Sequence, residues 1–215
     1  MKESMLHVVG ASRYTLKGAW GFAFTGQATA GPPKGIHGQD YIHAAKKLMN
    51  SCDVPSRRLM LGAHLVTLAH AVQVRQHFSL DMHGTYARDA IRSDRQNWET
   101  VQRLCKKAHL DCLGEMHEKR LEFSKGTQMY LSVIRRYIHI FYSKKMQLAA
   151  RAKEASYIIH FLARWRFFVL KHKDLDVGTN YITDEAHADC LLSCHQVILT
   201  IMAARDCCPS TPLHL

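Results

Sequence analysis

The stretch Gln128-Met129-Tyr130-Leu131-Ser132-Val133-Ile134-Arg135-Arg136-Tyr137-Ile138-His139-Ile140-Phe141-Tyr142 decides the fold. Tyr130, Val133, Ile134, Tyr137, Ile138 and Phe141 recur at steps of three and four, which a 3.6-residue period places along one side of a helix. Gly126-Thr127, just upstream, punctuates and caps the segment. The expectation is an amphipathic helix over 128–142 that buries its Tyr/Ile face.

The same period continues downstream. A long helix over about 146–171 is expected to pack Ile158, Ile159, Leu162, Trp165 and Val169. A break at Asp176 to Asn180, containing Gly178, precedes a last helix capped by Thr183. Asp184 and Glu185 suit the positive end of its dipole, and Leu191, Cys194, Ile198 and Met202 make its inner stripe. Upstream, Asp40 heads a first helix over 40–51 and Leu59 to Leu61 suits a short extended piece. A second helix is expected over 65–78, with Leu65, Leu68, Ala69 and Val72 on one side. Residues 79–93 read as a loop. A helix starting near Asp94 then carries Trp98, Val101, Leu104, Cys105 and Ala108, and a break is expected at Gly114.

Residues 1–38 differ in texture. They are rich in Gly, Ala and Thr, and Gly31-Pro32-Pro33-Lys34-Gly35 must be loop because consecutive prolines lack amide donors and restrict their neighbours. This arm is either weakly ordered or packed as short strands, Ala19 to Phe24 being the best strand candidate. The expected organisation is a Gly/Ala-rich arm at 1–38, a helical domain at 39–205 and a short tail at 206–215. The expected fold is an all-α, multi-helix orthogonal bundle of six or seven helices.

With 215 residues, 47% of them hydrophobic and 22% charged, the chain can bury one good core and lacks the signature of disorder. Twenty-nine Lys and Arg against eighteen Asp and Glu leave a formal charge of +11, which favours polyanionic partners. Met1 to Gly10 has no apolar run of signal-peptide length. Tyr157 to Leu170, broken by His160, Arg164 and Arg166, is short of the ~20 residues that span a bilayer, so no membrane partner and an intracellular location, nuclear or cytoplasmic, are expected. Seven cysteines without scaffold spacing read as buried thiols.

Catalytic patterns are scarce. Gly26 and Gly31 have phosphate-loop spacing, but Pro32-Pro33-Lys34 stands where Gly-Lys-Ser/Thr is required. His187, Cys190 and Cys194, spaced i, i+3 and i+7, could reach zinc with help from Cys207-Cys208, yet the same face carries Leu191 and Ile198 and suits a core lined by small thiols. The basic residues are more suggestive. Arg135, Arg136, Lys144, Lys145, Arg151, Lys153, Arg164 and Lys171, with Arg166 beside them, crowd the two strongest helices, with Tyr130, Tyr137, Tyr142 and Trp165 interleaved. They are the candidate contacts to DNA or another nucleic acid; a solvated face opposite an apolar stripe is the alternative.

Five blocks in order resemble the central helical region of P-element-like DNA transposases. They are Asp40, His43, Lys46, Lys47 and Asn50; Asp94, Arg95, Gln96 and Asn97; Gly126, Thr127, Tyr130 and Leu131; Trp165 and Arg166; and Asn180, Ile182, Thr183 and Ala186 before a helix with His195. The resemblance spans about residues 39–205. It implies a transposon-derived helical insertion beside a ribonuclease-H-like core, associated with guanine-nucleotide binding, so GTP enters on that ground alone. The first catalytic carboxylate and the late one of that core have no counterpart, and a single acid such as Asp40 cannot hold two metal ions. The resemblance therefore implies a non-catalytic domain that binds nucleic acid or a nucleotide; the alternative is a helical protein-interaction module.

Overall fold

The computed structural model describes residues 6–8, 13–17, 23–28, 40–91 and 97–207. From Asp40 onward it is an all-α, multi-helix domain, in agreement with the periodicity of the sequence. In the N-terminal arm, β1 (Leu6–Val8), β2 (Arg13–Lys17) and β3 (Ala23–Ala28) form a sheet in the order β1-β3-β2. β1 runs parallel and β2 antiparallel to β3, with Thr15 opposite Thr25. The described part of the arm is thus three short strands, β3 beginning at Ala23, within the Ala19 to Phe24 strand candidate. Residues 18–22 and the Pro32-Pro33 segment lie outside the described residues.

α1 (Tyr41–Ser51) starts where Asp40 accepts a hydrogen bond from the Ile42 amide at 2.9 Å, satisfying a donor that the first turn leaves free. Ala44, Ala45, Leu48 and Met49 are buried. A hairpin of β4 (Met60–Leu61) and β5 (His64–Leu65) comes next, turning through Gly62 at φ +60°, a left-handed backbone that glycine takes without strain. Leu65 therefore belongs to a strand, and α2 (Ala69–His77) begins four residues later than its apolar spacing suggests. Its buried positions are His70, Ala71 and Val74, whereas Ala69 is exposed.

The expected loop at 79–93 contains two short helices, α3 (Leu80–His83) and α4 (Ala87–Ile91). α5 (Trp98–Leu104) is capped by Asn97, whose side chain accepts from the Thr100 amide at 3.0 Å; Asp94, Arg95 and Gln96 lie outside the described residues. α6 (Lys107–Glu118) runs straight through Gly114, which is buried against Gln128 rather than breaking the helix.

α7 (Lys125–Tyr142) takes Gly126 and Thr127 into its first turn. The reason is contact with the hairpin: a Cβ on Gly126 would lie 2.5 Å from the Leu65 carbonyl oxygen. Thr127 donates its hydroxyl to the Thr67 carbonyl at 3.1 Å and accepts from the Thr67 amide at 3.0 Å. With that proton engaged, His70 Nδ1, 2.8 Å away, is the donor to the same oxygen.

α8 (Leu148–Lys171) is succeeded by α9 (Val177–Asn180), a single turn capped by Asp176, and by α10 (Asp184–Cys207). The Thr183 hydroxyl accepts from the Ala186 amide at 3.0 Å, the cap expected of it. α7 is central, touching α1, α6 and α8, while α10 packs on α8 and α1. Trp165 anchors the core edge-on to Tyr130 and Tyr181, its indole N–H donating to the Met60 carbonyl at 2.6 Å. The buried stripe of α10 is Ala186, Cys190, Cys194 and Leu199; Met202 is exposed and Leu191 and Ile198 are half-buried, so the inner face is rotated from its expected position. Asp184–Ala203 has a mean hydropathy of 1.2 and is, by length and composition, sufficient to cross a bilayer, yet its Ala186–Cys190–Cys194 side sits in the core.

Candidate nucleic-acid interface

The basic residues of α7 and α8 divide by what holds them. Arg135 donates to the Cys105 carbonyl at 3.2 Å. Arg136 pairs with Glu154 at 2.7 Å and lies 4.7 Å over the Tyr157 ring. Arg151 donates to the carbonyls of Ile140, Ser143 and Met146, satisfying acceptors left open by the end of α7 and the turn after it. Arg135 and Arg151 are thereby engaged by backbone carbonyls, while Arg136 is ion-paired at a position that stays exposed. Lys144, Lys145, Lys153, Arg164 and Lys171 are exposed. Of the interleaved aromatics, Tyr130, Tyr137 and Trp165 are core residues, and only Tyr142 reaches solvent.

At 100° per residue, Lys153, Tyr157, His160, Phe161, Arg164, Phe168 and Lys171 fall within an arc of about 100° on α8 and extend about 27 Å along it. The buried set Ala155, Ile158, Leu162, Trp165 and Val169 lies on another side. The single carboxylate of α8, Glu154, is held by Arg136. Lys171 Nζ rests 5.8 Å over the Phe167 ring, and among the described residues neither Lys153 nor Arg164 forms an ion pair. Where this face meets the β4–β5 hairpin and Met129, it walls a groove of about 770 Å³ that includes Tyr157, Phe161, Arg164 and Phe168.

Several of the residues in the five sequence blocks take structural roles. Asp40 and Asn97 cap helices, Trp165 is the core anchor, and Arg166 pairs with Asp184 at 3.1 Å while lying over Tyr181. His43 is exposed, and the Asn50 side-chain oxygen is buried without a hydrogen-bond partner.

The zinc candidates point elsewhere. His187 Nδ1 is 2.7 Å from the Tyr181 hydroxyl, and burial, with Arg166 nearby, lowers its pKa to about 4. The Cys190 and Cys194 thiols are hydrogen-bonded to each other, which together with burial pushes Cys190 well up and away from the thiolate that zinc requires. Among the described residues no three His, Cys, Asp or Glu side chains gather as metal ligands.

Two polar features leave no sequence signal. Asp89, fully buried on α4, accepts from Arg103 at 2.7 and 2.9 Å, from the Thr100 hydroxyl and from the Tyr86 amide. Burial opposes its charge, but these bonds, Arg103 foremost, outweigh it and hold the carboxyl below its usual range. His109 on α6 is fully buried with neither ring nitrogen bonded, and burial lowers its pKa to about 4. In addition, Lys47 joins Glu185 at 2.5 Å and Asp189 at 2.7 Å, tying α1 to α10.

Comparison of the chain with protein-family models, with curated proteins and with solved structures gives no match.

Proposed function

We propose that this chain is a transposon-derived helical domain that binds nucleic acid, and that the outer face of α8 makes the contact. One observation carries the reading. Lys153, Arg164 and Lys171 line up on a solvent-facing arc with no unengaged carboxylate beside them on the same helix, on a chain of net charge +11. Spaced over about three and then two helical turns, such cations suit a phosphate backbone running along the helix. The exposed Lys144 and Lys145 extend the same chemistry into the turn that precedes it. The five transposase-like blocks support the ancestry to the extent that several of their residues, Asp40, Asn97, Thr127 and Trp165, hold the helical frame together.

The test is a titration of labelled DNA at two salt concentrations with the double variant Lys153→Glu, Lys171→Glu. The expected result is binding that weakens steeply with salt in the parent chain, and a shallower log–log slope in the folded variant. Absent or salt-independent binding by a folded parent protein overturns the reading and leaves the protein-interaction module in its place. That second reading has its own support in Phe123, 83% exposed, and the neighbouring Leu121, a surface apolar pair.

A further inference from the structure

We propose that the groove between α8 and the β4–β5 hairpin takes unpaired bases, so that the preferred ligand is single-stranded nucleic acid rather than duplex. This rests on the nucleic-acid reading above and specifies the ligand of that same face.

The groove is walled by Tyr157, Phe161 and Phe168 from α8, Met129 from α7 and the backbone turn around Gly62, with His160 and Arg164 at the rim. About 770 Å³ lies within the roughly 300–1,000 Å³ typical of sites that enclose an organic group. Tyr157 and Phe161 are already near-parallel, 6.3 Å apart at 23°, which leaves a flat, stepped apolar surface of the kind on which planar rings stack. Tyr157 is 46% exposed although Arg136 covers part of its ring, so a face or edge remains open to a partner.

Charge then selects among planar partners. The groove lining contains the Arg164 guanidinium and no carboxylate, and Lys153 and Lys171 continue the positive row at either end. A strand that stacks its bases in the groove can lay its phosphates along Lys153, Arg164 and Lys171, which is the pairing of aromatic platform with cationic track used to hold single strands without sequence preference. Duplex DNA hides the faces of its bases and can use only the cations. The alternation Lys153, Tyr157, Phe161, Arg164, Phe168, Lys171 is therefore better matched to a flexible strand.

Fluorescence anisotropy with one labelled oligonucleotide, alone and annealed to its complement, at low and moderate salt, tests this. A glutamate–tyrosine copolymer serves as the acidic-peptide control. The parent chain is expected to bind the single strand at least about tenfold more tightly than the duplex. Tyr157→Ala is expected to lower single-strand affinity about fivefold or more while changing duplex affinity less, and Tyr157→Trp to restore it. Arg164→Ala, at an exposed position, should flatten the salt slope for both ligands by about one. Photocrosslinking with an iodouracil-substituted strand should map to Tyr157 or Phe161, a readout that does not depend on the variants folding. Equal affinity for both forms, with Tyr157→Ala affecting neither, overturns the inference and leaves the nucleic-acid reading standing. No binding of either form at low salt removes that reading as well. Binding of the acidic copolymer alone makes the groove a protein dock and overturns both.

Discussion

α7 and the outer half of α8 carry similar basic residues, but the fold treats them in opposite ways. Arg135 of α7 is engaged by a carbonyl, Arg136, itself exposed, by a carboxylate, and Arg151 closes the end of α7, whereas Lys153, Arg164 and Lys171 are exposed with no ion pair among the described residues. The difference lies in register. α7 sits at the middle of the domain with neighbours on several sides, so guanidiniums at its edges meet backbone and side-chain acceptors; α8 leaves Lys153, Tyr157, Arg164 and Lys171 exposed along one side. A count of positive charges along a sequence is blind to this division, because what engages an arginine is a carbonyl or carboxylate many residues away.

The sharpest way to break the comparison is to remove a guanidinium that the fold uses. Arg103→Met strands the Asp89 carboxylate in the interior, and loss of one partner from a buried pair costs about 3–5 kcal/mol, to be read by urea unfolding at pH 7. The pH profile comes next. The folded state holds His109 neutral down to about pH 4, while in the unfolded chain it protonates near pH 6.5. Its contribution is therefore intact above pH 6.5 and is lost as pH falls toward 4, at up to about 1.4 kcal/mol per pH unit. Asp89, held low, loses its contribution only in a separate window below its ordinary range near 3.8. Unfolding free energies measured between pH 7 and 4.5 should fall, and fall less in His109→Gln.

Gly126→Ala should cost about 1–3 kcal/mol in thermal or denaturant melts, because its Cβ meets the Leu65 carbonyl rather than a side chain that can yield. At the small end, Lys153→Gln and Lys171→Gln should each alter stability by no more than about 0.5 kcal/mol while reducing the salt slope of DNA binding by about one. Equal damage to stability from Arg103 and Lys153 substitutions would erase the distinction between the two kinds of cation.

Much of the frame is legible where the apolar period is long. α1, α7, α8 and the start of α10 follow from the spacing of residues such as Tyr130, Ile134, Leu162 and Trp165 and from the caps Asp40 and Thr183. α3 and α4 are too short to display a full period, and their place is set by contacts with α2, α5 and α6. The spacing misleads at α2, because Leu65 and Leu68 continue a helical period into residues that pair as a hairpin or precede the helix. At the candidate site, the cations are visible as residue types, but Tyr130, Tyr137 and Trp165 draw attention away from the surface aromatics. Tyr157, Phe161, Arg164 and Phe168 do step by four, three and four, a pattern present in the sequence whose meaning depends on which side of α8 faces the core. Asp89 and His109 could not be foreseen, since their burial depends on helices packing around them.

The bridge from Lys47 to Glu185 and Asp189 bears on how this protein is made. During synthesis, α1 leaves the ribosome more than a hundred residues ahead of the segment that completes its surroundings, and α8 also waits for α10. The buried face of α1, with Ala44, Ala45 and Leu48, therefore gains its last partners only when residues beyond 184 have joined the fold.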